Sequence, residues 1–211
     1  MSAVEKIDTS KQLGEEDITK LLIKFSVPAI VGMLVNAFYN VIDRIFVGNS
    51  VGALGIAAIT VTFPVMLIII AFSMLIGVGA STLVSIRLGQ QRKEEAELIL
   101  GNAAVLSTIV SLLISITSLL NIEPLLRICG ASETVLPYAK DFASIILIGA
   151  IFNVVSMGMN NFIRAEGNPK IAMYTMLIGA FLNIILNPTF IFLFHWGIKG
   201  SALATVVSNI I

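Results

Sequence analysis

Polar side chains sit inside apolar stretches of this chain, at spacings that gather them on single helical faces. Asn36, Asn40 and Asp43 are four and then three residues apart, so a helix carries all three on one side. Arg44 follows Asp43 directly and points about 100° away, which makes it a poor partner within the same helix. An unpaired carboxylate in low dielectric takes up a proton or holds a cation, and either behaviour suits an ion-coupled machine. The plainer alternative is that Asp43 lies at the outer interface and caps a helix end. Asn183 and Asn187 repeat the pattern one turn apart, followed by Pro188. The proline ring cannot donate to the carbonyl of Ile184, and freed carbonyls beside amide oxygens are a common setting for a cation in a membrane helix. Here the alternative is a proline kink whose asparagines bond neighbouring helices. Asn153 and Asn160 also share a face, with Ser156 and Asn161 nearby. That stripe fits interhelical hydrogen bonding, at about 0.6 kcal/mol per bond, better than the lining of a water-filled cavity.

The elements that carry these residues follow from composition. Of 211 residues, 57% are hydrophobic and 12% charged, with a mean hydropathy of +0.97. Soluble domains carry about twice that charged fraction, so the bilayer is the natural solvent and an all-α membrane protein is expected. A span needs ~20 mostly apolar residues. Five whole spans are predicted, at about residues 21–47, 54–85, 98–120, 138–163 and 171–194. A sixth begins near Gly200 and is still apolar at Ile211, where ~18 Å of helix is too little to cross. The chain therefore reads as a cytoplasmic tail over residues 1–20 and a transmembrane unit over 21–211, cut within its sixth span. A short amphipathic piece at residues 18–23 is expected on the membrane surface.

Lysines and arginines set the orientation. Lys6, Lys11, Lys20, Lys24, Arg87, Arg92, Lys93, Arg164 and Lys170 fall on one side, and Arg127, Lys140 and Lys199 on the other, nine against three. The N-terminus is thus expected in the cytoplasm, with spans one, three and five running outward. Counted from the cytoplasmic ends, Asp43 lies ~27–32 Å up span one, Asn187 ~24 Å up span five and Thr205 ~22 Å up span six. Three helices offer oxygen ligands at similar heights.

Several function classes are excluded. A net charge of zero, without a basic run interleaved with aromatics, argues against a nucleic-acid partner. Paired metal-ligand spacings, a phosphate-binding glycine loop and a nucleophile motif are all missing from the sequence, so an enzyme is not expected and no cofactor is called for. The single histidine, His195, stands beside Trp196 at the outer end of span five, where an interfacial aromatic belongs. The lone Cys129 has no partner for an internal disulfide.

At this level of detail the chain resembles the multidrug and toxic compound extrusion (MATE) transporters, from about Ile18 to the end. The pieces that carry the resemblance are the run from Tyr39 through Asn40, Asp43 and Arg44 to Gly48, the loop from Arg164 through Glu166, Gly167, Asn168 and Pro169 to Lys170, and the run from Leu182 through Asn183 and Asn187 to Pro188. The stretch from Gly197 through Gly200 and Ser201 to Thr205 continues it in order and spacing. The resemblance implies the N-terminal six-helix lobe of a twelve-span transporter in the plasma (inner) membrane, completed by a C-terminal lobe. It implies an antiporter that exports organic cations or amphipathic drugs in exchange for Na+ or H+. It also implies a coupling-ion site, for Na+ or a proton, at Asp43, Asn183, Asn187 and Thr205; from the polar stripes themselves, Asn36, Asn40 and Asn153 are candidate cavity-lining residues. One departure matters: position 187 is commonly Asp in the branch with an acidic residue in span one, whereas here it is Asn187. Losing that carboxylate lowers the charge of the site. A lipid-linked oligosaccharide flippase of the same superfamily and a non-transporting membrane subunit are the alternatives. The first would need several basic residues in its cavity and the second a pore loop or charged ring.

Overall fold

The computed structural model describes residues 17–210, and they are helical almost throughout, with no strand among them. In chain order they form α1 (Ile18–Val51), α2 (Ala53–Gly89), α3 (Lys93–Leu120), α4 (Ile122–Ile128), α5 (Leu136–Ile148), α6 (Ala150–Ala165), α7 (Pro169–Pro188), a π-helical turn (Thr189–Leu193) and α8 (Gly197–Ile210). α1, α2, α3 and the run from α7 through the π-turn are each long and apolar enough to cross a bilayer, and the bent pair of α5 and α6 makes a fifth candidate span.

Local chemistry explains where these helices begin. The Asp17 carboxylate accepts from the backbone N–H of Thr19 at 2.8 Å, which caps α1. α7 opens on Pro169 and α5 carries Pro137 in its first turn, where a missing N–H costs nothing. α1 starts at Ile18, so residues 18–23 belong to the first span rather than to a separate surface piece. The expected tail otherwise lies outside the described residues.

Packing uses small residues. α2 buries Gly55, Ala58, Thr62, Ile69, Ser73 and Gly77 along one stripe, and α3 buries Ala103, Ser107, Ser111, Ser115 and Ser118. In lipid there is little hydrophobic force between helices, so close approach and hydrogen bonds must hold them, and small side chains permit both. Ser115 Oγ donates to the carbonyl of Leu147 at 2.7 Å, and Ser73 Oγ to that of Val154 at 3.4 Å. α1 lies mainly along α7, α2 packs on α3 and α6, and α8 is held between α5 and α7. The outer faces keep their apolar side chains exposed, as with Phe38 at 66% and Leu75 at 70%, which is the surface a lipid solvent requires.

Four sequence expectations need adjustment. The fourth span is not one straight helix over 138–163; it breaks at Gly149, and α5 and α6 meet at 52°. The last helix starts at Gly197, three residues before the expected Gly200. A short helix, α4, precedes the fourth span. Past Pro188 the helix loosens into the π-turn, where the Thr189 hydroxyl takes up the carbonyl of Ile185 at 2.8 Å.

The charged residues gather at the helix ends. Arg127 pairs with Glu123 at 3.1 Å and Glu133 at 2.5 Å, Lys140 with Glu123 at 3.1 Å, and Lys199 with Asp141 at 3.2 Å. The three basic residues assigned to one side by sequence thus collect at one end of the bundle. Arg87 and Arg92 both reach Glu95, at 3.2 and 3.4 Å.

Candidate functional site

Three elements bring polar groups together inside the bundle. α1 supplies Asp43, α7 supplies Asn183 and Asn187, and α8 supplies Ser201, Thr205 and Ser208. The two asparagines are four residues apart on α7, and the three hydroxyls are four and then three apart on α8, so each helix turns a polar stripe toward the other. α8 can lie this close because Gly200 has no side chain. A Cβ there would stand 2.8 Å from the backbone carbon of Phe190 and 2.9 Å from its oxygen. That contact with the π-turn sets the height of the neighbouring Ser201.

The stripes pair in two layers, about one turn or ~6 Å apart. In the first, the Asp43 carboxylate accepts two hydrogen bonds on Oδ1, from Asn187 Nδ2 and from Ser201 Oγ, the latter at 2.7 Å. In the second, Asn183 Nδ2 donates to Thr205 Oγ1 at 3.4 Å and to Ser208 Oγ at 3.3 Å. Asn187 and Ser201 are fully buried at 0% exposure and Asn183 is at 2%, while Asp43 and Thr205 are half-buried. The ionisable group therefore sits at the accessible edge of a largely buried polar cluster.

One atom in this cluster lacks a partner. Asn187 Oδ1 is the only fully buried side-chain oxygen or nitrogen among the described residues without a hydrogen bond. A buried amide oxygen left unpaired costs ~1–3 kcal/mol, so it marks a place where something else is accommodated. The oxygens of the two layers are the Asp43 carboxylate, the amide oxygens of Asn187 and Asn183, and the hydroxyls of Ser201, Thr205 and Ser208. An all-oxygen set with one carboxylate suits a hard monovalent cation or a proton. Among the described residues no three His, Cys, Asp or Glu side chains stand together as a metal group.

The structure brings together Asp43, Asn183, Asn187 and Thr205 on three facing helices, with Asp43 bonded to α7 and α8 and hence not unpaired. It does not bond Thr205 to Asp43; Ser201, one turn earlier on α8, holds that place. Ser201 stood inside the quoted stretch from Gly197 to Thr205, and its four-residue offset from Thr205 was the signal for it. Asn36 and Asn40 are exposed on α1, where Asn40 Nδ2 donates to the carbonyl of Asn36 at 2.7 Å and to its Oδ1 at 3.1 Å. Asn160 binds across to α7, donating to the carbonyl of Ala172 at 2.8 Å and to Thr175 Oγ1 at 2.9 Å. Asn153, by contrast, turns toward α8 and lines a small pocket there. Arg44 is exposed and makes no ion pair among the described residues. Trp196 is 48% exposed and stacks with Phe190 and Phe194 at ring distances of 5.5 and 5.2 Å.

Comparison with known proteins adds an independent line. Residues 28–189 match the family model described as MatE. The chain is 32% identical over 197 residues to the multidrug export protein MepA of Staphylococcus haemolyticus (strain JCSC1435), covering 93% of this chain and 44% of that protein. Against MepA of Staphylococcus aureus (strain MSSA476) it is 30% identical over 193 residues, covering 92% and 43%. It superposes at a TM-score of 0.89 and 33% identity on a structure described as the outward-facing conformation of a multidrug resistance MATE family transporter of the MOP superfamily, over 100% of this chain and 46% of that one. A MOP superfamily transporter from Pyrococcus furiosus Vc1 (DSM3638) gives 0.89 and 34%, over 99% and 45%. The chain spans about half the length of the curated relatives it matches.

Proposed function

The chain belongs to the MatE family of multi-pass membrane transporters, and from that premise we propose that it forms the N-terminal lobe of an antiporter in the plasma membrane. The complete protein exports organic cations or other amphipathic compounds in exchange for Na+ or H+, and Asp43 is the carboxylate that takes the ion. The observation that carries this reading is the half-buried Asp43 beside the unpartnered, fully buried Oδ1 of Asn187.

The ion enters as a substrate of the exchange. With Asp43 charged, donors from Asn187 and Ser201 satisfy it and tie α1 to α7 and α8. Binding a proton removes the negative charge and weakens both of these bonds. Binding Na+ calls for oxygen instead of N–H, and a half-turn of the Asn187 amide exchanges its Nδ2 for the unpartnered Oδ1. Either ion changes what holds α1 to the rest of the lobe. An ion shifts the conformational equilibrium only by its difference in affinity for the two states, and this tie supplies such a difference. Drug binding in the other state completes the exchange.

The flippase alternative needs cations free to face a polyanionic headgroup. Arg87, Arg92, Arg127, Lys140 and Lys199 are instead engaged with carboxylates at the helix ends, and the exposed Arg44, without an ion pair among the described residues, is one charge where several are needed. The test of the antiport reading is ion-driven drug efflux by the full-length protein carrying Asp43→Asn in proteoliposomes. Efflux driven by a Na+ or pH gradient should be lost while drug binding persists; undiminished gradient-driven efflux refutes the role of Asp43.

A further inference from the structure

The break at Gly149 creates a feature that the exchange described above does not use. α8 presses into the break: a Cβ on Gly149 would lie 2.3 Å from Val206 Cγ2 and 2.6 Å from Cγ1, so only glycine admits the helix there. On its other flank the break is served by the protein itself, through Ser115 Oγ on the carbonyl of Leu147 at 2.7 Å. Beside the Val206 contact lies a partly enclosed pocket of about 40 Å³, walled mostly by apolar residues such as Met66 and Ile69 of α2, with three polar side chains among them, Asn153 of α6 and Thr205 and Asn209 of α8. Among the described residues no hydrogen bond within the protein engages the Asn153 or Asn209 side chain. An amide at membrane depth must find a partner, and as none comes from the described residues, water in the pocket can supply one.

The dimensions agree with that. A buried water occupies ~10–15 Å³ on this measure and needs two to four polar partners, so the pocket has room for about three waters beside its three polar side chains. Thr205 joins this pocket to the cluster: its hydroxyl accepts from Asn183 at 3.4 Å, and the residue lines the pocket together with Asn153 and Asn209. We propose that the pocket is an internal water site in which Asn153 and Asn209 hold water against Thr205, so that the lower layer of the polar cluster is hydrated from the far side of α8. Its consequence for transport rests on the reading of that cluster as the ion site; the hydration itself does not. A cation leaving bulk water for the Asp43 layer then sheds its shell against a polar wall that stays wet. Asn153 and Asn209 act as positioning residues.

Hydroxyl-radical footprinting by X-ray radiolysis reads bound water directly, and Met66 is an oxidisable side chain in the wall of the pocket. In the full-length transporter in nanodiscs, Met66 should be oxidised several-fold faster than in the double variant Asn153→Leu, Asn209→Leu. The polar variant Asn209→Gln should keep the wild-type rate, which separates loss of water from misfolding. The leucine double variant should also raise the ion concentration for half-maximal efflux by roughly threefold to tenfold, as loss of a water-mediated contact does. Equal Met66 oxidation in wild type and double variant overturns the water site. Reduced oxidation with an unchanged half-maximal ion concentration overturns its role in transport. The Asp43→Asn protein keeps the two readings apart: it should oxidise Met66 at the wild-type rate. Retained coupling there refutes the ion site and leaves the water site standing.

Discussion

Replacing Asn187 with aspartate puts a second carboxylate against the first. In the structure the Asn187 amide donates to Asp43 Oδ1, so Asn187→Asp exchanges a donor in direct contact with Asp43 for a like charge at the same point. Two unit charges ~4 Å apart repel by ~4 kcal/mol at an effective dielectric of ~20. Because Asp43 is half-buried rather than enclosed, solvent screening reduces this to about 2 kcal/mol. The pair relieves that repulsion by sharing a proton or holding a cation, so the same energy appears as a gain in ion affinity of roughly 30-fold. The assay is drug efflux by the full-length Asn187→Asp protein in proteoliposomes, titrated with Na+ at fixed pH and with H+ at fixed Na+. At least one ion should reach half-maximal effect at a concentration more than tenfold below that of the unaltered protein. If neither titration moves, position 187 does not share an ion with Asp43, and the reasoning from the hydrogen bond fails.

Other perturbations follow from the same geometry. Ser201→Ala removes a 2.7 Å hydroxyl donor to a carboxylate, worth about 1.5–3 kcal/mol, and should change the half-maximal ion concentration by about tenfold or more in the efflux titration while drug KM stays put. Gly200→Val drives a Cβ into the Phe190 backbone, and thermal unfolding of the full-length protein in detergent should report a loss of at least 1–3 kcal/mol, with Gly200→Ala intermediate. At the paired end of the bundle, hydrogen bonds from Arg127 hold the Glu123 and Glu133 carboxyls below their ordinary 4.5, with Lys140 adding to the effect on Glu123. A lowered folded-state value contributes stability above that range and loses it as pH falls below, so unfolding should become easier on acidification beneath pH 4.5. Glu133→Gln should flatten that dependence, and added salt should do the same because these groups are exposed.

Much of this arrangement was legible in the sequence because a bilayer imposes a simple rule. Apolar runs of span length must be helices, and the few polar residues inside them stand out. Asp43, Asn183 and Asn187 were visible for that reason, as was the common height of three helices. The partner of Asp43 on α8 was not. Heights counted from a loop carry the error of where the helix starts, and α8 begins three residues early, at Gly197, which lowers Ser201 to the level expected for Thr205. The break at Gly149 left no compositional trace either, since no charge or proline interrupts the apolar run around it. It is set by tertiary packing, through Val206 on one flank and Ser115 on the other. For the same reason Asn153 looked like a partner for a neighbouring helix; the bend turns it toward α8 instead, while Asn160 does bond across to α7. The π-turn after Pro188 was foreshadowed by the proline, but its extent depends on Thr189 capturing the carbonyl of Ile185.

The central claim is that one carboxylate gives up its ion when drug binds. Detergent-solubilised full-length transporter, mixed with drug in weakly buffered solution, allows the released protons to be counted with a pH dye and the released Na+ with an ion-selective electrode. About one ion should be released per transporter on saturation with drug, and none from the Asp43→Asn protein at equal drug occupancy. Equal release from both proteins would contradict it and move the exchange to another group.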